Sequence, residues 1–272
     1  MKEKIAISGQ SGFIGSHLSG RLTNYIRLGR DGYVPGFVDF DPVVAVFDLA
    51  AWGNLASQNT GPITENVKNC YQANLIRVVE EISNLRGSSQ KFIYTSTSSV
   101  TLPKQTPYSI SKKATEDYLK YASTLGYKIA IVRPYTIVGI GEPKEHLIPK
   151  LIDSCLNGTE MPFVPDPCHD FLDVEDFVDA LLLIEKKGEF KGEIYEIGGG
   201  EQVSNNTVRQ MVEEVTEKKA NLKYVDNLRS YDTKSWKANL ERISTLDWKP
   251  KKNLMQTIKE MVAYAKTNTR NI

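Results

Sequence analysis

Three glycines spaced by three, Gly9, Gly12 and Gly15, stand between a short apolar run, Ile5-Ala6-Ile7, and a helical stretch expected over about 13–24. This placement limits the fold more than any other feature of the chain. A strand that leaves through a glycine turn into a helix needs the first glycine for the bend. It needs the second where backbone must approach a ligand, and the third where helix packs on strand. The helix N-terminus then offers N–H groups and partial positive charge, which suit a pyrophosphate. Gly9, Gly12, Phe13, Ile14 and Gly15 are read as the pyrophosphate end of a dinucleotide site. The alternative is a tight turn that holds no ligand.

Strand and helix patterns alternate from there. Tyr25–Leu28 is expected as the second strand. About where such folds place an acid for the ribose 2′-hydroxyl, the chain has Arg30 with Asp31 beside it. Arginine suits the 2′-phosphate of NADP, so NADP(H) is favoured. A register one residue later would put Asp31 there and make the cofactor NAD(H). Residues 43–51 read as a buried strand ending in Leu49, Ala50 and Ala51, whose small alanines would let a cofactor lie close. A helix is expected over 66–85, then a strand over 91–94 that runs into Thr95-Ser96-Thr97-Ser98-Ser99. Hydroxyls at a strand's carboxyl end sit where ligands bind in open α/β sheets. A helix over 108–125 and a strand over 128–132, stopped by Arg133-Pro134, complete the series. Such alternation predicts an α/β fold with a doubly wound parallel sheet. Beyond residue 139 glycines and prolines become frequent, which predicts a smaller C-terminal substrate-binding lobe. The expected division is 1–139 for the dinucleotide, with a segment at about 170–195 returning to it, and 140–272 mainly for substrate.

Composition narrows the partners. A formal net charge of +1 over 272 residues gives no electrostatic case for nucleic acid or an acidic membrane surface. No run of about 18 apolar residues occurs, so no membrane span is expected. Cys70, Cys155 and Cys168 have neither metal-ligand spacing nor an even-numbered disulfide framework. No metal is expected, and a reduced cytoplasmic setting is.

Tyr108 and Lys112, four residues apart, share one helix face. An unperturbed tyrosine titrates near 10, so a base working near neutrality needs a shift of roughly 3 units, about 4 kcal/mol. A neighbouring ammonium is one source of that shift. Taken alone, the pair is also what a solvated helix face looks like.

Taken together, these residues resemble the extended short-chain dehydrogenase/reductase family in its nucleotide-sugar branch, which holds 4-epimerases, 4,6-dehydratases and 4-keto reductases on a Rossmann fold. The likeness runs through Gly9/Gly12/Gly15, Leu49-Ala50-Ala51, Asn74, Thr97, Tyr108, Lys112, Arg133-Pro134 and Gly139-Ile140-Gly141. It continues in Asp170-Phe171-Leu172-Asp173-Val174-Glu175-Asp176, Ile197-Gly198-Gly199-Gly200, Val203-Ser204, Arg229-Ser230-Tyr231-Asp232 and Leu246-Asp247-Trp248-Lys249-Pro250. The resemblance implies that Tyr108 is the acid/base on a sugar oxygen and that Thr97 hydrogen-bonds that oxygen. It implies that Lys112 lowers the tyrosine's pKa and bonds the nicotinamide ribose, that Asn74 orders the site, and that Pro134 lies by the cofactor. Ser98, Arg229 and Asp232 would contact a nucleotide sugar, the arginine at its diphosphate. A homodimer would form through the helices around 67–85 and 108–125.

Departures from the family pattern shape the expected activity. Ser98-Ser99 follow Thr97 where dehydratases carry an acidic pair, so 4,6-dehydration is not expected. The stretch from Val100 to Pro107 is short, Asp48 replaces a common histidine, and His169 replaces a common arginine. His169 is read either as a substrate ligand or as a packed loop histidine. The favoured activity is NADPH-dependent reduction of a nucleotide-activated 4-keto sugar. A 4-epimerase is the alternative, and a non-catalytic dinucleotide-binding or sensing protein is the alternative of another class.

Overall fold

A computed structural model of the chain describes residues 4–29, 43–55, 58, 62–85, 89–226 and 235–268. Arg30, Asp31, Arg229 and Asp232, four of the expected ligand contacts, lie outside the described residues.

In chain order the elements are β1 (Lys4–Ser8), α1 (Phe13–Gly20), β2 (Tyr25–Leu28), β3 (Val43–Asp48) and α2 (Ile63–Tyr71). A π-helical turn (Gln72–Ile76) leads directly into α3 (Arg77–Ser83), followed by β4 (Lys91–Thr95), a 3₁₀ turn (Ser98–Thr101), α4 (Pro107–Thr124), β5 (Lys128–Pro134) and β6 (Thr136–Val138). Then come α5 (Leu147–Asn157), β7 (Met161–Phe163), β8 (Cys168–Asp173), α6 (Val174–Lys187), β9 (Lys191–Ile197) and β10 (Gln202–Ser204). The series closes with α7 (Asn205–Thr216), β11 (Leu222–Tyr224), α8 (Glu241–Ser244) and α9 (Leu254–Asn268).

Contacts divide the chain into two compact units. The first comprises Met1–Pro134, Val178–Glu196 and Glu241–Trp248. Its sheet has the order β2-β1-β3-β4-β5-β9, and the β1–β2, β1–β3, β3–β4 and β4–β5 pairings are parallel. The order reverses at β1, the switch point at which ligands bind in open α/β sheets. The strands are apolar because both sheet faces are covered. Ala6, Val46, Phe92, Tyr94, Ile129 and Ile131 meet Val78 and Ile82 of α3 and Leu119 of α4 in one core.

The second unit comprises Tyr135–Phe177, Ile197–Leu240 and Lys249–Ile272. It holds a three-stranded sheet, β10-β8-β6, and a two-stranded one, β11-β7. Its core joins Ile148, Leu151 and Ile152 of α5, Val208 and Val212 of α7, and Ile258 and Val262 of α9.

Several sequence expectations need correction. β5 runs through Arg133 and Pro134 instead of stopping before them. An edge or terminal position is where a strand tolerates proline. β3 ends at Asp48, so Leu49, Ala50 and Ala51 form the loop that leaves it. The helix expected over 66–85 begins at Ile63 and is broken by the π turn. α1 closes at Gly20, four residues early.

Candidate active site

In the first unit the glycine turn packs directly on the exit of β3. Gly9 has φ +72°, and a Cβ there would lie 2.7 Å from the Ala50 nitrogen. A Cβ on Gly15 would overlap the Gly9 carbonyl oxygen. Gly12 is different: its only close neighbour is that same oxygen, and it forms the N-cap of α1 with no side-chain cap. The N–H groups of the first α1 turn, before Ser16 bonds back to the Gly12 carbonyl, are left for an outside acceptor. This cradle suits a dinucleotide pyrophosphate. Phe13 and Ile14 occupy the half-buried first turn of α1, and Leu49 and Ala50 are half-buried across from Gly9. Pro134 ends β5, also half-buried.

Beneath the cradle lies a buried charge network. Ser8 Oγ, at the end of β1, donates to Asp48 Oδ1 at the end of β3. Arg77 Nη2 donates to both Asp48 oxygens at 2.8 and 3.0 Å and to the Ala50 carbonyl at 3.2 Å. Its Nη1 donates to Glu81 Oε1 at 2.5 Å. Two acids thus share one base in a nearly dry interior. Burial and the Asp48 charge push the Glu81 carboxyl up to about 8, against the pull of Arg77.

The π turn sets the next layer. It places Asn74, fully buried, between the loop leaving β3 and α4. Asn74 Oδ1 accepts from the Trp52 N–H, and Nδ2 donates to the Trp52 carbonyl and to Ser111 Oγ, all at 2.9 Å. The Asn74 carbonyl accepts from Thr115 Oγ1 at 2.6 Å. Both amide protons are used within the protein, so Asn74 orders the loop and helix. Next to Trp52, Gly53 passes at φ +99° between Cys70 Sγ and Tyr108 Cβ, where a Cβ would lie 2.5 and 3.3 Å from them.

Tyr108 and Lys112 come from the first turns of α4. That helix starts cleanly because Thr106 and Ser109 form a reciprocal capping box and Pro107 fills the first turn. Tyr108 is half-buried and Lys112 only 1% exposed. Lys112 Nζ donates to the Thr95 carbonyl at 2.7 Å and stands 4.5 Å from the Tyr94 ring centroid. Burial lowers the ammonium to about 8, opposed chiefly by Asp48. Glu116, one turn on, accepts from Ser96 Oγ at 2.6 Å and from Arg133 at 2.8 and 2.6 Å. This bolts α4 to the ends of β4 and β5.

Thr97 is the N-cap of the 3₁₀ turn, its Oγ1 accepting from the Ser99 N–H at 3.2 Å and lying 3.0 Å from Ser99 Oγ. Ser98 is 2% exposed. The short connection to α4 is braced by Gln105, which donates to the Ser99 and Leu102 carbonyls.

His169 lies in the second unit, on β8, with ring centroids 5.7 Å from Phe171 and 5.5 Å from Trp236. Trp236 in turn stands 6.1 Å from Tyr135. Asp170, beside it, accepts from the N–H groups of Gly199, Gly200 and Ala238 at 2.5, 3.0 and 2.9 Å. The Asp-Phe stretch thus works as a backbone clasp. Sequence reasoning missed the Arg77 network, the Glu116–Arg133 pair and the π turn. Arg77 and Glu81, spaced as a helical ion pair, were visible in the sequence. Their burial was not. Among the described residues no group of side chains is arranged to hold a metal, and no helix is long and apolar enough to cross a membrane.

Residues 5–198 match the model of the NAD dependent epimerase/dehydratase family. A dTDP-D-glucose 4,6-dehydratase of Mus musculus is 29% identical over 67% of this chain, which spans 57% of that protein. A GDP-6-deoxy-D-mannose reductase of Pseudomonas aeruginosa is 24% identical over 97% of each chain. The solved structure of MoeE5 in complex with UDP-glucuronic acid and NAD shares the fold, with a TM-score of 0.87 at 21% identity over 97% of this chain and 99% of that one.

Proposed function

This chain belongs to the NAD dependent epimerase/dehydratase family, and from that premise we propose that it is a nicotinamide-dependent oxidoreductase of a nucleotide-diphosphate sugar, reducing a 4-keto group. The observation that carries the reading is the Tyr108–Lys112 turn of α4, held through Asn74 to the loop that faces the glycine cradle. A nicotinamide dinucleotide supplies hydride transfer at a sugar carbon. Tyr108 handles the proton on the attached oxygen, and Thr97 hydrogen-bonds that oxygen. Lys112, protonated, favours the tyrosinate. Gly9, Gly12, Phe13, Ile14 and Gly15 hold the pyrophosphate, with Leu49, Ala50, Ala51 and Pro134 along the cofactor. Arg30 makes NADP(H) the favoured cofactor. Arg229, Asp232, Ser98 and His169 contact the nucleotide sugar. No carboxylate follows Thr97, which argues against dehydration.

A panel of 4-keto nucleotide sugars with NADPH tests this. Stoichiometric NADPH oxidation is expected. Tyr108→Phe should lose about 10²-fold or more of turnover with cofactor affinity kept. A second reading, 4-epimerase, rests on Asp31 taking the ribose-contact position. Interconversion of UDP-glucose and UDP-galactose with no net cofactor change would establish it and overturn reduction.

A further inference from the structure

The buried charge network beneath the glycine turn is built in a way that stability alone does not explain. Ser8 and Asp48 are fully buried, and Arg77 and Glu81 nearly so. Two carboxyls and one guanidinium are held out of water there, where a well-packed apolar cluster of similar volume is often as stable or more so. Glu81 Oε2 is also buried with no hydrogen-bond partner among the described residues, a loss that an apolar side chain would avoid.

What the network achieves is direction. Each of the five N–H groups of the Arg77 fork has an acceptor. Nε donates to the Ala73 carbonyl at 3.0 Å, one turn back. Nη1 donates to Glu81 and reaches Ser8 Oγ at 3.5 Å. Nη2 serves Asp48 and the Ala50 carbonyl. A planar fork seated on its other partners offers that last N–H in one direction only, so the Ala50 carbonyl is drawn inward. Across a trans peptide the next N–H points the opposite way. The Ala51 N–H is therefore turned away from the network, and Ala51 is exposed.

The same loop is fixed on both sides of this peptide. Beyond it, Asn74 holds the N–H and the carbonyl of Trp52. Before it, the Leu49 N–H donates to the Ser8 carbonyl at 3.2 Å and the Ala50 N–H to Ser8 Oγ at 3.4 Å. Ser8 directly precedes Gly9, and Ala50 is the residue on which Gly9 packs. We propose that Arg77, seated by Asp48 and Glu81, is a positioning residue of the dinucleotide site: it holds the Ala50–Ala51 peptide beside the glycine turn with its N–H outward, as a donor to an oxygen of the bound cofactor. This rests on the dinucleotide reading above. Arg77 acts through the peptide, from beneath, and not by contact with the ligand.

Calorimetric titration of the full chain with NADP⁺ and with NAD⁺, beside melting curves, tests the role. Asp48→Leu with Arg77→Met and Glu81→Leu removes the three charges together and leaves none unpaired. This triple variant should keep Tm at or above the wild-type value. It should weaken the dinucleotide that binds about tenfold, because the Ala50–Ala51 peptide is then free to turn. A network that only stabilises the fold would not separate these two readouts. If the triple variant fails to fold or melts below wild type, Arg77→Lys carries the test, since it keeps the charge and loses the fork. Arg77→Lys should weaken the same dinucleotide about threefold or more with an unchanged circular dichroism spectrum. A wild-type chain that binds neither NADP⁺ nor NAD⁺ would overturn the dinucleotide reading and this role with it. Wild-type binding that the folded variant keeps within about twofold would overturn this role alone.

Discussion

Lys112 is a charge kept where charge is costly. Its pKa, lowered to about 8 by burial, means the folded chain binds fewer protons than the unfolded one between pH 8 and the usual lysine value near 10.5. Stability contributed by this group therefore rises with pH through that window. On the proposed mechanism activity runs the other way, because only the protonated form would assist Tyr108. The pH profile of kcat/KM for the free enzyme is expected to fall with a limb near pH 8. Lys112→Met should cut kcat roughly 10–10³-fold while raising Tm at pH 7, a pairing that a purely structural lysine would not produce. Glu81 gives the opposite slope. With its carboxyl pushed up to about 8, the folded state holds an extra proton above the normal carboxyl range, and stability from this group is lost as pH rises from about 4.5 to 8. Glu81→Gln should flatten that decline in thermal melts taken across the range. At this scale the sequence was legible in the placing of Tyr108 and Lys112 on one helix and of Thr97 just past the end of a strand. It was illegible in the burial of Lys112, Asp48 and Arg77, because a charged residue reads as surface until its partners are located.

At the scale of elements, the glycine turn and α4 were readable: glycines spaced by three between a strand and a helix, and a helix expected over 108–125 that the structure starts one residue earlier, at Pro107. The π turn was not. An i→i+5 segment has no composition of its own, and here it is held by Asn74 bonding Trp52 on one side and Ser111 on the other. The short strands of the second unit, β6, β7, β10 and β11, were also missed, since three residues are too few to show a period of two. Asn74→Leu leaves the Trp52 amide and carbonyl and the Ser111 hydroxyl without their shared partner. It is expected to cost about 3 kcal/mol in denaturant unfolding and to lower kcat, as the β3 exit and α4 lose their common anchor.

Across the molecule, six of the eight exposed large apolar side chains among the described residues fall on two neighbouring helical stretches of the first unit; the other two, Tyr224 and Tyr264, belong to the second. Ile63, Val67 and Ile76 lie on α2 and the π turn, and Ile110 and Tyr121 on α4, with Leu125 at its C-terminal end. α2 and α4 pack side by side. Surface apolar residues grouped in this way mark an interaction face, and the expected partner is a second copy of the chain. Sedimentation should show a dimer, and Ile110→Glu with Tyr121→Glu should yield a monomer of unchanged fold. The π turn carries a consequence for descent. It holds one residue more than an α-helix needs across the same span. Deleting one of residues 72–76 would therefore restore an unbroken helix and leave α2 and α3 where they are. Arg77 would keep its reach to Asp48, whereas Asn74 would lose its place between Trp52 and Ser111. A lineage could drop the extra residue and keep the buried charge pair, at the expense of the anchor between the β3 exit and α4.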